Sequence, residues 1–481
     1  MSGARLGRLL VLETRTFLAT PLSVALIIAL ALISGWAVFG GTIRTLETRA
    51  HQAVALEQHA ETWAQKRAAF IDLQAGRIET GMFVNPARAD LVVMSHKAPV
   101  VTPPGALAPL SAGPAREGND IIAVSMASRY GQQNETIENP TNRVDGPLDL
   151  IFVVAWLLPI VLLVLSYDVL AGDRETQISP LIASSGTPLS KIVLGRLGVV
   201  FLATFGVIGC IATAGVVAAA PLDQLVHNLP DLVVWLGSLG LYIGFWLALS
   251  ASLNARLRHA AAAGVALLTI WITLSLVTPV LAAQWVAVGA AAPDRLTYVL
   301  QYRALQNDLA ERSAEVRETY YGANPERRPV RGPFSEYEEY FVETYYPRQV
   351  VLDQVFFPHA REIHVRQVAQ ARRLRLAAFL SPPLMIKRLT DDLAGFAPER
   401  RLAAFDATEQ FQAAWRERFD VKLASRRSLT LADYDDLPTA SPVSEAGAVR
   451  LVRAITPLGG LLAGFLLAAA LAWMRLRRAG P

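Results

Sequence analysis

Six stretches of the chain, 18–43, 150–166, 197–222, 232–253, 260–293 and 454–474, contain no Asp, Glu, Lys or Arg. About 17 to 25 helical residues cross a bilayer core, and lipid offers a backbone no hydrogen-bond partner, so such stretches have to be helices. A soluble helix of this length would carry a polar stripe toward water, and these carry none. The composition agrees: 53% of the 481 residues are hydrophobic, 18% are charged, and the mean hydropathy is +0.34. The expected fold class is a mainly α-helical membrane protein. It has six transmembrane helices and two large extracytoplasmic regions, mostly helical with some short strands.

Positive charge in short flanking segments orients the spans. Arg5, Arg8 and Arg15 precede the first; Arg174, Lys191 and Arg196 lie between the second and third; Arg256 and Arg258 between the fourth and fifth; Arg475, Arg477 and Arg478 after the sixth. The loop around 223–231 between the third and fourth spans holds acidic residues and no Lys or Arg. This pattern puts both termini of a multi-pass membrane protein in the cytoplasm. The net charge of +4 then marks topology, so membrane lipid is an expected partner and nucleic acid is not. The first span reads as uncleaved, because its apolar core exceeds that of a signal peptide and "ISGWAVFGG" offers no small-x-small site. Before it, 1–17 reads either as an interfacial amphipathic helix with Leu6, Leu9, Leu10 and Phe17 against lipid or as a plain basic flank.

The cytoplasmic loop 254–259 and the tail 475–481 are short, which leaves the polar mass in 44–149 and 294–453, on the side opposite the termini. In the first of these, Leu46, Ala50, Ala53, Leu56, Ala60, Trp63 and Ala64 recur at helical spacing, so the first span continues outward. After Gly81, "VVTPPGALAPLSAGP" reads as loop, with strand-like runs at "DLVVMS" and "DIIAVSM". The second region holds a long helix at "QVVLDQVFFPHAREIHVRQVAQARRLRLAAF" and another at "FDATEQFQAAWRERFD". Between them "LSPPLMIKRLTDDLAGF" reads as a turn and an amphipathic helix whose Leu384, Ile386, Leu389 and Leu393 face another helix or the membrane surface. Cys210 is the single cysteine, so no intrachain disulfide forms and hydrophobic packing is expected to hold both regions.

Catalytic patterns are scarce. His359, Glu362 and His364 of "HAREIH" do not have the spacing of a helical zinc motif, and no metal or catalytic site is expected. "GTPLSK" lacks the glycine before Lys191 and has Ile192 in place of the magnesium-binding Ser or Thr, so it is not a phosphate loop.

The segment 167–196, "YDVLAGDRETQISPLIASSGTPLSKIVLGR", is longer and more charged than a linker between two spans requires. It has Asp173, Arg174 and Glu175, a short apolar helix "ISPLIASS", a turn at Gly186 to Pro188, and Lys191 to Arg196 leading into the third span. Read from composition alone, it is either a solvated hairpin or a segment that seats in a groove of a cytoplasmic partner. The charged triplet, the apolar helix, Gly186 and the closing Gly195-Arg196 resemble the "ERE-GTL…G…GK" segment of ABC-2 type transporter permeases. Thr176, Gln177 and Ile178 stand where that family has Gly-Thr-Leu. The six-span layout with insertions after spans one and five, together with "LSPPLMIKRLTDDLAG", "FQAAWRERF" and "DYDDLPT", resembles the subfamily carrying the DUF3526 region.

That resemblance implies a permease subunit of the bacterial cytoplasmic (inner) membrane, not an enzyme, that exports an amphiphilic or hydrophobic substrate. It implies a cytoplasmic ABC ATPase, which holds ATP and Mg while this chain binds no cofactor. A second permease half, as homodimer or paralogous heterodimer, is also implied, with room for an extracytoplasmic protein partner. The residues expected to couple to the ATPase are Asp173, Arg174, Glu175, Ile178, Leu181, Ser185 and Gly186; those expected along a substrate path are Trp156, Tyr242, Trp246 and Trp271. Two other classes stay open: a non-transporting membrane scaffold that presents both outer regions to partners, and a membrane enzyme acting in those regions.

Overall fold

The computed structural model describes residues 3–81, 84–93, 96–113, 120–126, 148–176, 188–289, 295–332 and 335–478. Helix α1 covers Gly3–Ala19 and α2 Pro21–Gln74, and the antiparallel strands β1 (Lys97–Val101) and β2 (Ile121–Ser125) follow. Next come α3 (Leu150–Glu175), α4 (Leu189–Ala219), α5 (Leu225–Arg256) and α6 (Ala260–Val288). The second insertion holds α7 (Arg295–Glu311), α8 (Ser313–Ala323), α9 (Tyr346–Ala378), α10 (Pro382–Leu393) and α11 (Pro398–Ser425), and α12 (Gly447–Arg478) closes the chain. Helices α2, α3, α4, α5, α6 and α12 are long and apolar enough to cross a membrane.

The bundle core is aromatic and tightly packed. Trp235, Tyr242 and Trp246 of α5 are wholly buried, with Leu150, Leu158 and Leu162 of α3 around them. Helices α2 and α4 meet where Gly215 lies so close to Val38 that a Cβ would stand 2.1 Å from Val38 Cγ1. Helix α1 corrects one sequence expectation: Phe17 packs on the bundle core, while Val11, Leu12 and Leu18 are exposed. The side chains of Leu6 and Leu9 lie outside the described residues.

At 54 residues, α2 is about 80 Å long, far more than the ~30 Å of a bilayer core, so its second half must leave the membrane. The two insertions, separate in sequence, pack into one domain around that extension. Phe70 of α2, Val100 of β1, Val124 of β2, Tyr346 of α9, and Trp415 and Phe419 of α11 share one core. Trp63 Nε1 donates to Tyr434 O at 3.0 Å, Tyr434 Oη to Pro86 O at 2.6 Å, and Gln412 Nε2 to Ser125 O at 2.9 Å.

Two expectations for this domain are corrected. "DLVVMS" begins as the helical turn Ala89–Val92, with Asp90 held by Arg88; the first strand starts at Lys97 instead, four of its five residues buried. Hydrophobic packing is also not the sole support. Arg416 pairs with buried Asp353 at 2.7 Å, and Arg327 reaches buried Asp420 at 2.9 Å, where Tyr346 also donates its hydroxyl.

His96, 3% exposed, lies between Trp63 and Trp415 with its Nε2 3.0 Å from His59 Nδ1. Burial, with the charges of Lys66 and His59, pushes its pKa down to about 3, and burial lowers His59 as well. The fold therefore holds both rings neutral. Above about pH 6.5, the ordinary histidine value, both folded and unfolded chains have them neutral and no penalty exists. As pH falls below that value the unfolded chain takes up protons that the folded one refuses, so folded stability is lost progressively toward pH 3. The thermal midpoint is expected to drop between pH 6.5 and pH 4, and His96→Phe to flatten that slope; an identical slope in the variant would exclude the pair as its source.

Candidate functional site

One end of the bundle gathers the charges between the second and third spans, and the triplet Asp173-Arg174-Glu175 divides its three side chains among three other spans. Asp173 Oδ2 accepts from Arg196 Nη1 of α4 at 2.6 Å, and the same nitrogen donates to Val169 O at 2.8 Å. Glu13 of α1 approaches Arg196 Nε at 3.5 Å, which brings the first helix into the same group. Arg174 Nη1 donates to Asn254 O and Leu257 O, both at 3.0 Å. These carbonyls belong to the last turn of α5, where four lack intrahelical partners and the helix dipole favours a cation. Glu175 Oε1 accepts from Ala260 N at 2.8 Å, the mirror case, an acid on a free amide at the start of α6. Of the residues expected to couple to the ATPase, Arg174 thus meets a helix end, Asp173 meets Arg196 and Glu175 meets the Ala260 amide.

The triplet can clamp three spans because it lies in one helical turn, Ala171–Glu175, whose successive side chains point about 100° apart; α3 is broken just before that turn. The break falls at 167–170 and frees backbone groups inside the bundle. Ser250 Oγ donates to Ser166 O at 2.9 Å and Asn254 Nδ2 to the same oxygen at 3.2 Å, while Asn254 Oδ1 accepts from Ala171 N at 3.3 Å. Ser166, Ser250 and Asn254 are all wholly buried. Sequence reasoning missed Ser250, Asn254 and Glu13; a lone Asn ending an apolar span, in "SASLNARLRH", is the signal that could have found the first two. Arg475 of α12 donates to Ser252 Oγ at 2.8 Å, so the last turns of α12 reach the same end of the bundle as Glu13 of α1.

A second polar site lies within the spans, near the start of α3 and at the middle of α6. Helix α3 has a wide π-type turn at Val153–Leu157 and α6 another at Thr273–Val277. Such turns place carbonyls off the helical ladder. Tyr242 Oη donates to Ala155 O at 2.8 Å, Trp156 Nε1 to Ser275 O at 3.0 Å, and Ser381 Oγ of the turn before α10 to Leu274 O at 2.6 Å. Trp156 and Tyr242, expected along a substrate path, thus bind α3 to α6 and α5, and Trp246 packs edge-on to Tyr242 with its ring wholly buried. Trp271, half-buried, lies on α6 against the same core. Ile178, Leu181, Ser185 and Gly186 lie outside the described residues.

Helix α10 is the amphipathic helix expected from "LSPPLMIKRLTDDLAGF", and it packs among the spans. Ser381 caps it by accepting from Leu384 N, and Trp235 Nε1 of α5 donates to Thr390 Oγ1 at 3.0 Å. Its far end carries the charges: Lys387 pairs with Asp391 at 2.6 Å, and Ser111 Oγ donates to Asp391 at 2.7 Å. Beside it Arg375 bridges Glu399 at 2.9 Å and Asp392 at 3.6 Å, and Arg450 of α12 holds buried Asp231 of α5 at 2.7 Å. Arg453 of α12 reaches Glu399 at 3.7 Å, an ion pair that joins the domain to the spans.

Residues 295–441, from α7 through the segment after α11, match the family model described as a domain of unknown function (DUF3526). That domain is present in this chain and includes α10. No curated protein and no solved structure matches the chain.

Arg174→Ala removes a charged donor from two helix-end carbonyls and is expected to cost about 1 to 2 kcal/mol, less than a fully buried donor because the guanidinium is partly exposed. Arg174→Lys keeps the charge but has one compact ammonium for two acceptors, so it should recover less than half. Thermal midpoints in lipid nanodiscs decide this; a lysine variant as stable as the parent would show that charge alone matters.

Proposed function

We propose that the chain is the membrane-spanning permease subunit of an ABC-2 type exporter, driven by a separate cytoplasmic ATPase that engages the segment 167–196. The observation that supports this reading is the clamp. Asp173, Arg174 and Glu175, immediately before the expected coupling helix, are attached to α4, α5 and α6, with α1 joined through Arg196. A displacement of the segment 177–187 by a partner would thus act on three spans together. A scaffold needs spans of the same kind but has no use for that convergence.

In this reading the clamp end, with Arg174, Arg196, Arg256, Arg258 and Arg475, faces the cytoplasm, and the domain built from both insertions faces the far side of the bacterial inner membrane. Ile178, Leu181, Ser185 and Gly186 would seat in the ATPase, which carries ATP and Mg. The partner must bind one arrangement of the loop better with nucleotide than without, since only differential affinity performs work. Two such bundles, identical or paralogous, would enclose the path. The uncharged spans favour an amphiphilic or hydrophobic cargo over a simple ion.

The test replaces 177–187 by a Gly-Ser linker of equal length, leaving the clamp intact. Membrane level and thermal midpoint are expected to stay near the parent's, while copurifying ATP hydrolysis disappears. Undiminished hydrolysis with the linker, or none with the parent, would contradict the proposal.

A further inference from the structure

The turn between α9 and α10 lies at a depth where the sequence places no membrane segment. Ser381 Oγ bonds Leu274 O at 2.6 Å, and Leu274 stands midway between Ala260 and Val288, the ends of α6. At 1.5 Å per residue that carbonyl is about 21 Å from either end of α6, so wherever a ~30 Å bilayer core falls along this helix the carbonyl lies at least about 9 Å inside it. The chain thus descends along α9, turns inside the core at Phe379 to Ser381, and returns along α10. Its deep end, "LSPPLMI", is uncharged, and the charges of α10 begin at Lys387.

The outward face of this hairpin is graded as a lipid-facing surface is. Leu376, Phe379 and Leu380 are 64%, 47% and 68% exposed, and Ile272, Leu276, Val277 and Val280 of α6 extend the same kind of surface at that depth. Arg372 is exposed and Arg373 half-buried, eight and seven residues before Leu380. Two helical turns raise them about 11 to 12 Å, to the edge of the hydrocarbon. Among the described residues neither forms an ion pair, whereas Arg375 is turned inward to Glu399 and Asp392. Long basic side chains at that level reach phosphate while their stems stay in the apolar layer.

We infer that α9 and α10 form a re-entrant hairpin that binds a phospholipid of the leaflet on the domain side, with Arg372 and Arg373 on its phosphate and Leu376, Phe379 and Leu380 against its acyl chains. The inference rests on the six long helices crossing the membrane and not on the transport reading. It gives the domain a fixed depth as well as a fixed orientation. Backbone outside a spanning helix is tolerated at such a depth only where protein covers it, and α10 is covered by α3, α5, α6 and α12.

Single cysteines at Leu380, Leu202 on the exposed face of α4 and Ser335 of the domain, each with Cys210→Ser, would carry a small fluorophore in phosphatidylcholine–phosphatidylglycerol vesicles. Leu380→Cys is expected to be quenched by mid-chain spin-labelled lipid and shielded from iodide, as Leu202→Cys is, and Ser335→Cys to show the reverse. Iodide quenching at Leu380 with Leu202 still lipid-quenched would overturn the hairpin alone; iodide quenching at both would remove the membrane reading beneath it. For the headgroup, the lipid-bound fraction in native mass spectra should fall about fivefold or more in Arg372→Gln/Arg373→Gln. An unchanged fraction would overturn the phosphate site.

Discussion

Lipid offers the backbone nothing to bond with, and the interior of this bundle is arranged around that constraint. Among the described residues, α3 and α6 depart from the regular helix at the wide turns 153–157 and 273–277 and at the break 167–170. Carbonyls at each are met by a side chain from a different element: Tyr242, Ser381 and Trp156 for the wide turns, Ser250 and Asn254 for the break. The irregular backbone and its partners therefore fix how α3, α5, α6 and α10 sit together. Either α3 or α6 alone would leave its own share of those carbonyls unsatisfied, at a cost of several kcal/mol each.

Charge performs the corresponding task at the two ends. At one end the triplet connects α3 to α4, α5 and α6; at the other, Asp231–Arg450 ties α5 to α12, and Arg453 of α12 reaches Glu399 in the charged group of the domain. Between them α10 runs from the mid-bundle turn of α6 to the ionic junction of the domain. A movement imposed at the clamp thus has a continuous protein route to the domain, through α6 and Ser381 or through α5, Trp235 and Thr390.

The six spans and the outward continuation of α2 were legible because each rests on a local pattern, charge-free length or helical spacing. α9, α10 and α11 were legible for the same reason, and β2 from its run of β-branched residues. What could not be read was pairing. Nothing in "LSPPLMIKRLTDDLAGF" says that its apolar face meets Leu274 and Trp235 and not the membrane surface, and nothing local says that Tyr434 packs on Trp63, far earlier in the chain. "DLVVMS" misled because a short apolar run fits a strand or a buried turn equally well. The triplet was found from the resemblance, but the destinations of Asp173 and Glu175 depend on where α4 and α6 begin in space, which no single-sequence pattern encodes.

The central claim is that the triplet is a clamp within this chain, and the Asp173–Arg196 pair tests it most directly. A double-mutant cycle with Asp173→Asn and Arg196→Gln, read as unfolding free energies in lipid nanodiscs, measures their coupling without adding charge. The account predicts that the double variant loses less than the sum of the single ones by about 1 kcal/mol or more, as for groups in contact. Additivity within about 0.3 to 0.5 kcal/mol would mean that the pair does not hold α3 to α4, and would contradict it.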